Sequence, residues 1–178
     1  MSEITDRYER ITRQFTDRAR AVPAGAGDNA SPREGWTARD IVGHLTEWIP
    51  GFFVAHGVRF PDVPSVQDDP VAAWETVQAT IAEALADQPV ETPFNRQSLA
   101  ETVDMIVTGD VFTPTWDLSR ATGQDETLDG EHLQRMLTAM GSMPEEAMRA
   151  DGMFGPRIDI PGDADDQTTF LAYVGRRA

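Results

Sequence analysis

Residues 36–48 read WTARDIVGHLTEW, and this stretch decides how the fold is interpreted. Thr37 can cap a helix, and Asp40, three residues later, can return the hydrogen bond in the arrangement known as a capping box. Beyond the cap, apolar side chains recur every three or four residues, which is the period of an amphipathic helix. The buried face of this helix is predicted to carry Ile41, His44, Leu45, Trp48 and Phe52.

Three further segments show the same helical period. One runs from Ile4 to Val22, before the stretch quoted above. Another begins at Asp69, which can cap a helix that has proline in its first position, where a missing N–H costs nothing. The last begins at a second capping box, at Ser98, and closes at Gly123. Four long amphipathic segments joined by short connections predict an all-α protein, a four-helix bundle.

The length of the chain, 178 residues, suits a single domain. The bundle core is predicted over about 3–123. Beyond it, Asp129 can cap an additional helix, and a glycine- and proline-rich extended stretch precedes a short helical run. We therefore predict one domain over 1–178, in which the additional helix and the short extended and helical C-terminal tail cover about 129–178.

The composition excludes several classes of chemistry. The chain has no cysteine and no lysine, so it offers no thiolate nucleophile, no cysteine-based metal site and no Schiff-base lysine. Its 30 acidic residues against 15 basic ones give a net charge of -15, which argues against a nucleic-acid partner. No apolar run reaches the ~18–20 residues that cross a bilayer. We expect a cytoplasmic protein with no membrane partner.

Two ionisable residues fall on predicted core faces, His44 on the second helix and Asp110 on the fourth. Burying an unpaired carboxylate costs on the order of several kcal/mol, so Asp110 needs a partner. In a purely structural interpretation, His44 is a satisfied core histidine, and Asp110 makes a structural hydrogen bond or an ion pair with an arginine. In a functional interpretation, both face one cavity and hold a divalent metal. Two ligands are fewer than the three that catalytic zinc usually has.

Four other side chains have weaker claims to a role. Glu47 is one helical turn from His44 and is a candidate ligand or base, although it could equally be a surface glutamate. Trp48 and Trp116 are candidates to line a ligand cavity, with ordinary core packing as the alternative. His132 is predicted to be solvated, in the first turn of the additional helix.

Four motifs together resemble one known family. They are GWTARDIVGHL (35–45), DDPVAAW (68–74), GDVFTPTWDLSRATGQDETLD (109–129) and GMFGPRIDIPGDADDQTTFLAYVGRR (152–177). They are similar to the mycothiol-dependent maleylpyruvate isomerase-like branch of the DinB-like superfamily, and more closely to its small metal-binding proteins. The resemblance implies a four-helix bundle with a divalent metal, often zinc, in a pocket at one end. It also implies an isomerisation, cyclisation or thiol-transfer reaction, in some relatives with mycothiol or a similar low-molecular-weight thiol.

The resemblance gives roles to particular residues and shows one departure. His44 matches the family's histidine on the second helix, and Asp110 matches its acidic ligand, written acid-x-x-x-His. The histidine of that motif would fall at Pro114, which cannot ligate a metal. Proline also lacks the N–H that would bond the carbonyl of Asp110, so a kink or break is expected between them unless the fourth helix already opens there. The metal site should be weakened or lost unless Glu47 or, less well placed, His56 completes it.

Two hypotheses of different classes follow. In the first, the protein is a small-molecule enzyme with a pocket around His44, Asp110 and Glu47. A retained zinc or other divalent metal on His44 and Asp110 would activate a thiol or water; without metal, His44 would act as a general base oriented by Asp110. Because the chain lacks cysteine, any thiol must come from a small cofactor. The alternative is a non-catalytic member of the family that captures a small ligand or forms a homodimer.

Overall fold

The computed structural model describes residues 2–87, 93–94, 97–144, 149 and 154–178, and these are mostly helical. The all-α prediction is confirmed. The chain divides into two compact units, Met1–Glu126 and Thr127–Ala178. Their boundary falls between the predicted bundle core and the predicted tail. The interpretation of the whole chain as one domain stays a prediction.

The first unit consists of long helices and one short antiparallel pair of strands. Its helices are α1 (Glu3–Arg20), a 3-10 turn (Ala26–Asp28), α2 (Ala38–Ala55), α3 (Pro70–Asp87), α4 (Leu99–Thr102), a π-helix (Val103–Thr108) and α5 (Gly109–Thr122). The strands β1 (Pro93–Phe94) and β2 (Gln97–Ser98) pair with each other immediately before α4. Helices α1 and α2 each pack against both α3 and α5.

The helices of this unit begin where the sequence predicts. Thr37 accepts a hydrogen bond from the backbone of Asp40, whose carboxylate accepts one from the backbone of Thr37. Ser98 and Glu101 form the same reciprocal pair at the start of α4. Asp69 Oδ1 accepts from the backbone N–H of Ala72 at 2.9 Å, which caps α3. These caps satisfy N–H groups that have no partner inside the helix.

The amphipathic character predicted for the first segment and for the segment that begins at Asp69 is confirmed in α1 and α3. Phe15 of α1 meets Trp74 of α3 edge to face, with ring centroids 4.8 Å apart. The indole N–H of Trp74 donates to Thr16 Oγ1 at 2.8 Å, so the buried tryptophan has a partner for its polar atom. The fully buried apolar side chains of the two helices include Tyr8, Ile11, Phe15, Trp74, Val77 and Ile81.

The predicted core face of α2 is partly wrong. The deeply buried row consists of Ile41, Leu45, Ile49 and Phe53. His44, Trp48 and Phe52 lie beside this row and are only half-buried. Nearly every turn of α2 carries apolar residues on two sides, so its period alone does not select the face. Packing against both α3 and α5 selects it, and His44 thereby stays within reach of solvent.

The break that was one of the expected outcomes between Asp110 and Pro114 is absent. Helix α5 continues through Pro114, and every residue from 111 to 119 is buried. Packing on this stretch outweighs the local cost of the proline, which is the loss of one hydrogen bond and a steric conflict with the preceding turn. The departure from α-helical geometry lies one turn earlier, in the π-helix that ends just before α5.

An ion pair joins α1 to this π-helix. Arg7 Nε lies 2.7 Å from Asp104 Oδ1, and Arg7 Nη2 lies 2.9 Å from Asp104 Oδ2. The arginine side chain is only 4% exposed and that of Asp104 only 16%. The hydrogen bonds to Asp104 raise the pKa of Arg7 against the opposing effect of burial. The pair is therefore bidentate, charged and largely withdrawn from water.

The second unit contains α6 (Gly130–Gly141) and α7 (Asp166–Tyr173), which pack together. Asp129 and Asp165 cap them, as the sequence predicts for the first of the two. His132 is buried in the first turn of α6, so the prediction that it is solvated is wrong. The buried face of α6 begins at His132 and Leu133, immediately after the cap, which is one residue earlier than the apolar pattern suggests.

None of the helices in the described part of the chain is long and apolar enough to span a membrane.

Asp40 should make the start of α2 sensitive to acid. Hydrogen bonds from the hydroxyl and then the backbone N–H of Thr37 lower the pKa of Asp40. Its contribution to stability is therefore complete above the usual aspartate pKa of about 3.9 and is lost as the pH falls through the lower folded value. We expect the melting temperature of Asp40→Ala to lie below that of the wild type at pH 7 and to converge with it in acid.

Thermal unfolding followed by circular dichroism at several pH values measures this convergence. Thr37→Val provides the matched background, because it removes the hydroxyl donor and should itself cost about 1 kcal/mol. In that background, Asp40→Ala should have a smaller pH-dependent effect. A difference in melting temperature between the wild type and Asp40→Ala that stays constant from neutral to acidic pH would contradict the assignment.

Candidate functional site

The structure brings His44 of α2 and Asp110 of α5 together. His44 Nε2 lies 3.1 Å from Asp110 Oδ2. The side chains are 28% and 35% exposed, respectively, so neither is sealed inside the core. Of the two structural alternatives for Asp110, a hydrogen bond or an ion pair with an arginine, the structure shows a hydrogen bond, whose partner is His44. The two residues singled out on separate helices therefore form one pair at the edge of the core.

Trp48 adds a second hydrogen bond to the same carboxylate oxygen. Its indole Nε1 donates to Asp110 Oδ2 at 2.8 Å. Trp48 is one helical turn after His44, so α2 presents both donors to α5 from the same side. Asp110 Oδ1 accepts no hydrogen bond from the described residues. The two hydrogen bonds to Oδ2 thus fix the orientation of the Asp110 carboxylate, and Oδ1 has no hydrogen bond from the described residues.

The hydrogen bond between His44 and Asp110 determines which tautomer the neutral imidazole ring adopts. An ionised carboxylate only accepts hydrogen bonds, so Nε2 of His44 must carry the hydrogen that lies between the two groups. In the neutral ring, Nδ1 then keeps an unprotonated lone pair. No hydrogen bond from the described residues engages this nitrogen. A histidine held in this way can accept a proton at Nδ1 and form an imidazolium next to Asp110.

Aromatic rings flank His44. The ring centroid of Trp36 is 5.2 Å from that of His44, and the centroid of Trp48 is 6.3 Å away. The guanidinium carbon of Arg33 lies 3.8 Å from the centroid of Trp36. Trp36 and Arg33 are the neighbours that sequence reasoning does not place here. The available signal was the position of Trp36, directly before the cap of α2 and about two helical turns from His44.

The remaining candidates make no hydrogen bond or ring contact with this pair in the part of the chain that the structure describes. Trp116 is 1% exposed, and no hydrogen bond or ring contact in the described structure joins it to His44 or Asp110. Glu47 is exposed and makes no hydrogen bond or ion pair with either of them in the same residues. His56 bonds the carbonyl of Phe52 through Nδ1 at 2.8 Å, at the end of α2.

The donor set does not fit a catalytic metal. Within the residues that the structure describes, no three side chains of His, Asp or Glu lie close enough together to hold one. His44 and Asp110 supply two donors, and Pro114, one turn after Asp110, supplies none. A catalytic zinc site uses three protein ligands and one open position.

Replacing Pro114 tests the alignment with the acid-x-x-x-His motif. Residues four apart lie on one side of a helix, so the imidazole of Pro114→His should lie near Asp110 and complete a three-ligand set. We expect this variant to bind one zinc ion per chain, measured by equilibrium dialysis and elemental analysis of untagged protein. Pro114→Ala is the matched control, because it also removes the proline but adds no donor. Equal zinc binding by the two variants would contradict the alignment.

Comparisons with known proteins identify few relatives. No protein-family model matches the chain, and no solved structure matches it. Two proteins of Mycobacterium tuberculosis, from the strains CDC 1551 / Oshkosh and ATCC 25618 / H37Rv, are each 27% identical to it over 154 residues. The similarity covers 82% of this chain and 82% of each relative. Both relatives are described as uncharacterized, so they carry no activity over to this chain.

Proposed function

We propose that the protein is a small-molecule enzyme of the DinB-like, maleylpyruvate isomerase-like type, in which His44 is a general base oriented by Asp110. The observation that carries the proposal is the distance of 3.1 Å between His44 Nε2 and Asp110 Oδ2 at a partly exposed position. The arrangement leaves His44 Nδ1 as the proton acceptor. No step of the reaction is assigned to a metal.

The proposed chemistry is a proton transfer. His44 Nδ1 removes a proton from a weakly acidic C–H, O–H or S–H group of the substrate, and the ring becomes an imidazolium. Asp110 stabilises that positive charge through Oδ2 without itself becoming protonated. His44 then returns the proton to another atom, which leaves no net change in protonation after an isomerisation or cyclisation. In a thiol-transfer reaction, the first proton would come from a small thiol.

Trp48 and Trp36 support the same interpretation in different ways. Trp48 donates to Asp110 and so holds the carboxylate in the orientation that His44 needs. Trp36 lies beside the imidazole and offers an apolar surface for the body of a small substrate. Helices α1 and α2 each pack against both α3 and α5. This arrangement is compatible with the four-helix bundle proposed from the resemblance.

Solvent deuterium exchange tests the proposal without knowledge of the product. A general base that removes a C–H proton should catalyse deuterium incorporation from D2O into short enolisable oxo acids, followed by NMR, with and without mycothiol. General-base catalysis typically contributes 10²–10⁴-fold, so His44→Gln should lower the rate by at least about 100-fold with little change in melting temperature. Asp110→Asn should also lower the rate, because an amide cannot stabilise the imidazolium as a carboxylate does.

His56→Gln is the matched control and should keep the wild-type rate, since His56 bonds the carbonyl of Phe52 instead. A His44→Gln protein that retains full activity would reject the proposed role. A wild type that binds members of the panel without exchange or turnover would favour the non-catalytic alternative.

A further inference from the structure

The orientation of Asp110 depends on an irregular turn just before it. The helical stretch from Leu99 to Thr122 is interrupted by the π-helix Val103–Thr108. An α-helix turns by about 100° per residue, and a π turn accommodates one extra residue, so every later side chain is rotated by about that angle. A continuous α-helix from the cap at Ser98 would therefore aim Asp110 in another direction.

Two polar interactions hold the wide turn. The hydroxyl of Thr108 donates to the carbonyl of Val103 at 3.3 Å, five residues earlier, so this bond spans the π turn from inside the core. The guanidinium of Arg7 in α1 donates two parallel hydrogen bonds, 2.7 and 2.9 Å long, to the carboxylate of Asp104. Both interactions attach to residues of the π-helix, and Asp110 follows within two residues of its end.

A purely stabilising role does not account for the ion pair well. Withdrawing a guanidinium and a carboxylate from water costs much of what their attraction returns, so apolar side chains would attach α1 at least as firmly. A buried bidentate pair does specify register, because it tolerates one alignment of donors and acceptors. Arg7 meets Asp104 through both oxygens of the carboxylate, and it also donates to the exposed Glu3 of its own helix at 3.1 Å.

We propose that Arg7 and Asp104 are positioning residues for the His44–Asp110 pair. By fixing the π-helix against α1, they set the rotation of α5 that carries the carboxylate of Asp110 to His44 and Trp48. This positioning role rests on the proposed function, because that function makes the His44–Asp110 pair the reactive centre. The geometric claim itself needs no turnover.

The indole N–H resonances supply a direct readout. Trp48 donates to Asp110 and reports on the rotation of α5, whereas Trp74 donates to Thr16 and reports on the packing of α1 against α3. In ¹H–¹⁵N spectra, Asp110→Ala defines the chemical shift and hydrogen-exchange rate of Trp48 without its acceptor. We expect Arg7→Lys and Asp104→Asn to move Trp48 toward that position and to speed its exchange, with Trp74 unchanged.

Arg20→Met is the matched control. It removes another arginine–carboxylate contact of α1, the 2.7 Å bond from Arg20 to Glu75 of α3, without touching the π-helix. Both indole signals should stay in place. If Arg7→Lys or Asp104→Asn does not fold, the same spectra are recorded for Asp104→Glu, which keeps the charge and lengthens the side chain.

Two results would overturn the inference. In folded Arg7 or Asp104 variants, a Trp48 signal that stays at its wild-type position would show that the ion pair does not set the rotation of α5. Equal displacement of Trp48 and Trp74 would show that the pair only supports packing of α1. A Trp48 response together with a wild type that lacks exchange activity would reject the proposed function and leave intact the effect of the ion pair on the rotation of α5.

Discussion

Arg7 and Asp104 face each other across the interior of the first unit, and the geometry around them depends on their pairing. Both side chains are largely withdrawn from water, so the loss of either one would leave the other with a weaker balance of charge. Their pairing ties the first helix of the chain to the π-helix Val103–Thr108. The helix that carries Asp110 continues from that stretch. The Arg7–Asp104 pair, although far from His44 in the sequence, thus influences how Asp110 is presented to His44.

The beginnings of the helices were predictable because they depend on local chemistry. Thr37 with Asp40, and Ser98 with Glu101, satisfy backbone donors within three residues, and no distant contact is needed. The phase of α2 was not predictable to the same degree, since apolar residues lie on more than one of its sides. The π-helix does not produce a distinct spacing of apolar residues in the sequence, so it was not predictable. The continuity of α5 through Pro114 depends on burial, which overrides a local preference that the sequence states clearly.

The candidate site was likewise predictable only in part. His44 and Asp110 were predicted because ionisable residues on apolar faces are rare enough to stand out, and the structure joins them. Glu47 shares a helical turn with His44 and is exposed, which agrees with the alternative of a surface glutamate. The hydrogen bond from Trp48 and the neighbourhood of Trp36 needed the three-dimensional arrangement. A tryptophan in a sequence usually indicates packing, and nothing in the chain indicates that its N–H binds a carboxylate on a distant helix.

The placement of the four tryptophans has a practical consequence for studying this protein. Trp74 and Trp116 are buried, whereas Trp36 and Trp48 are half-buried beside His44. Indoles in apolar surroundings emit at shorter wavelengths than indoles near water, and a protonated imidazole quenches a neighbouring indole. The emission of Trp36 and Trp48 should therefore change when His44 gains a proton or when a small molecule covers it. The chain thus carries its own optical probe of the site, with no label attached.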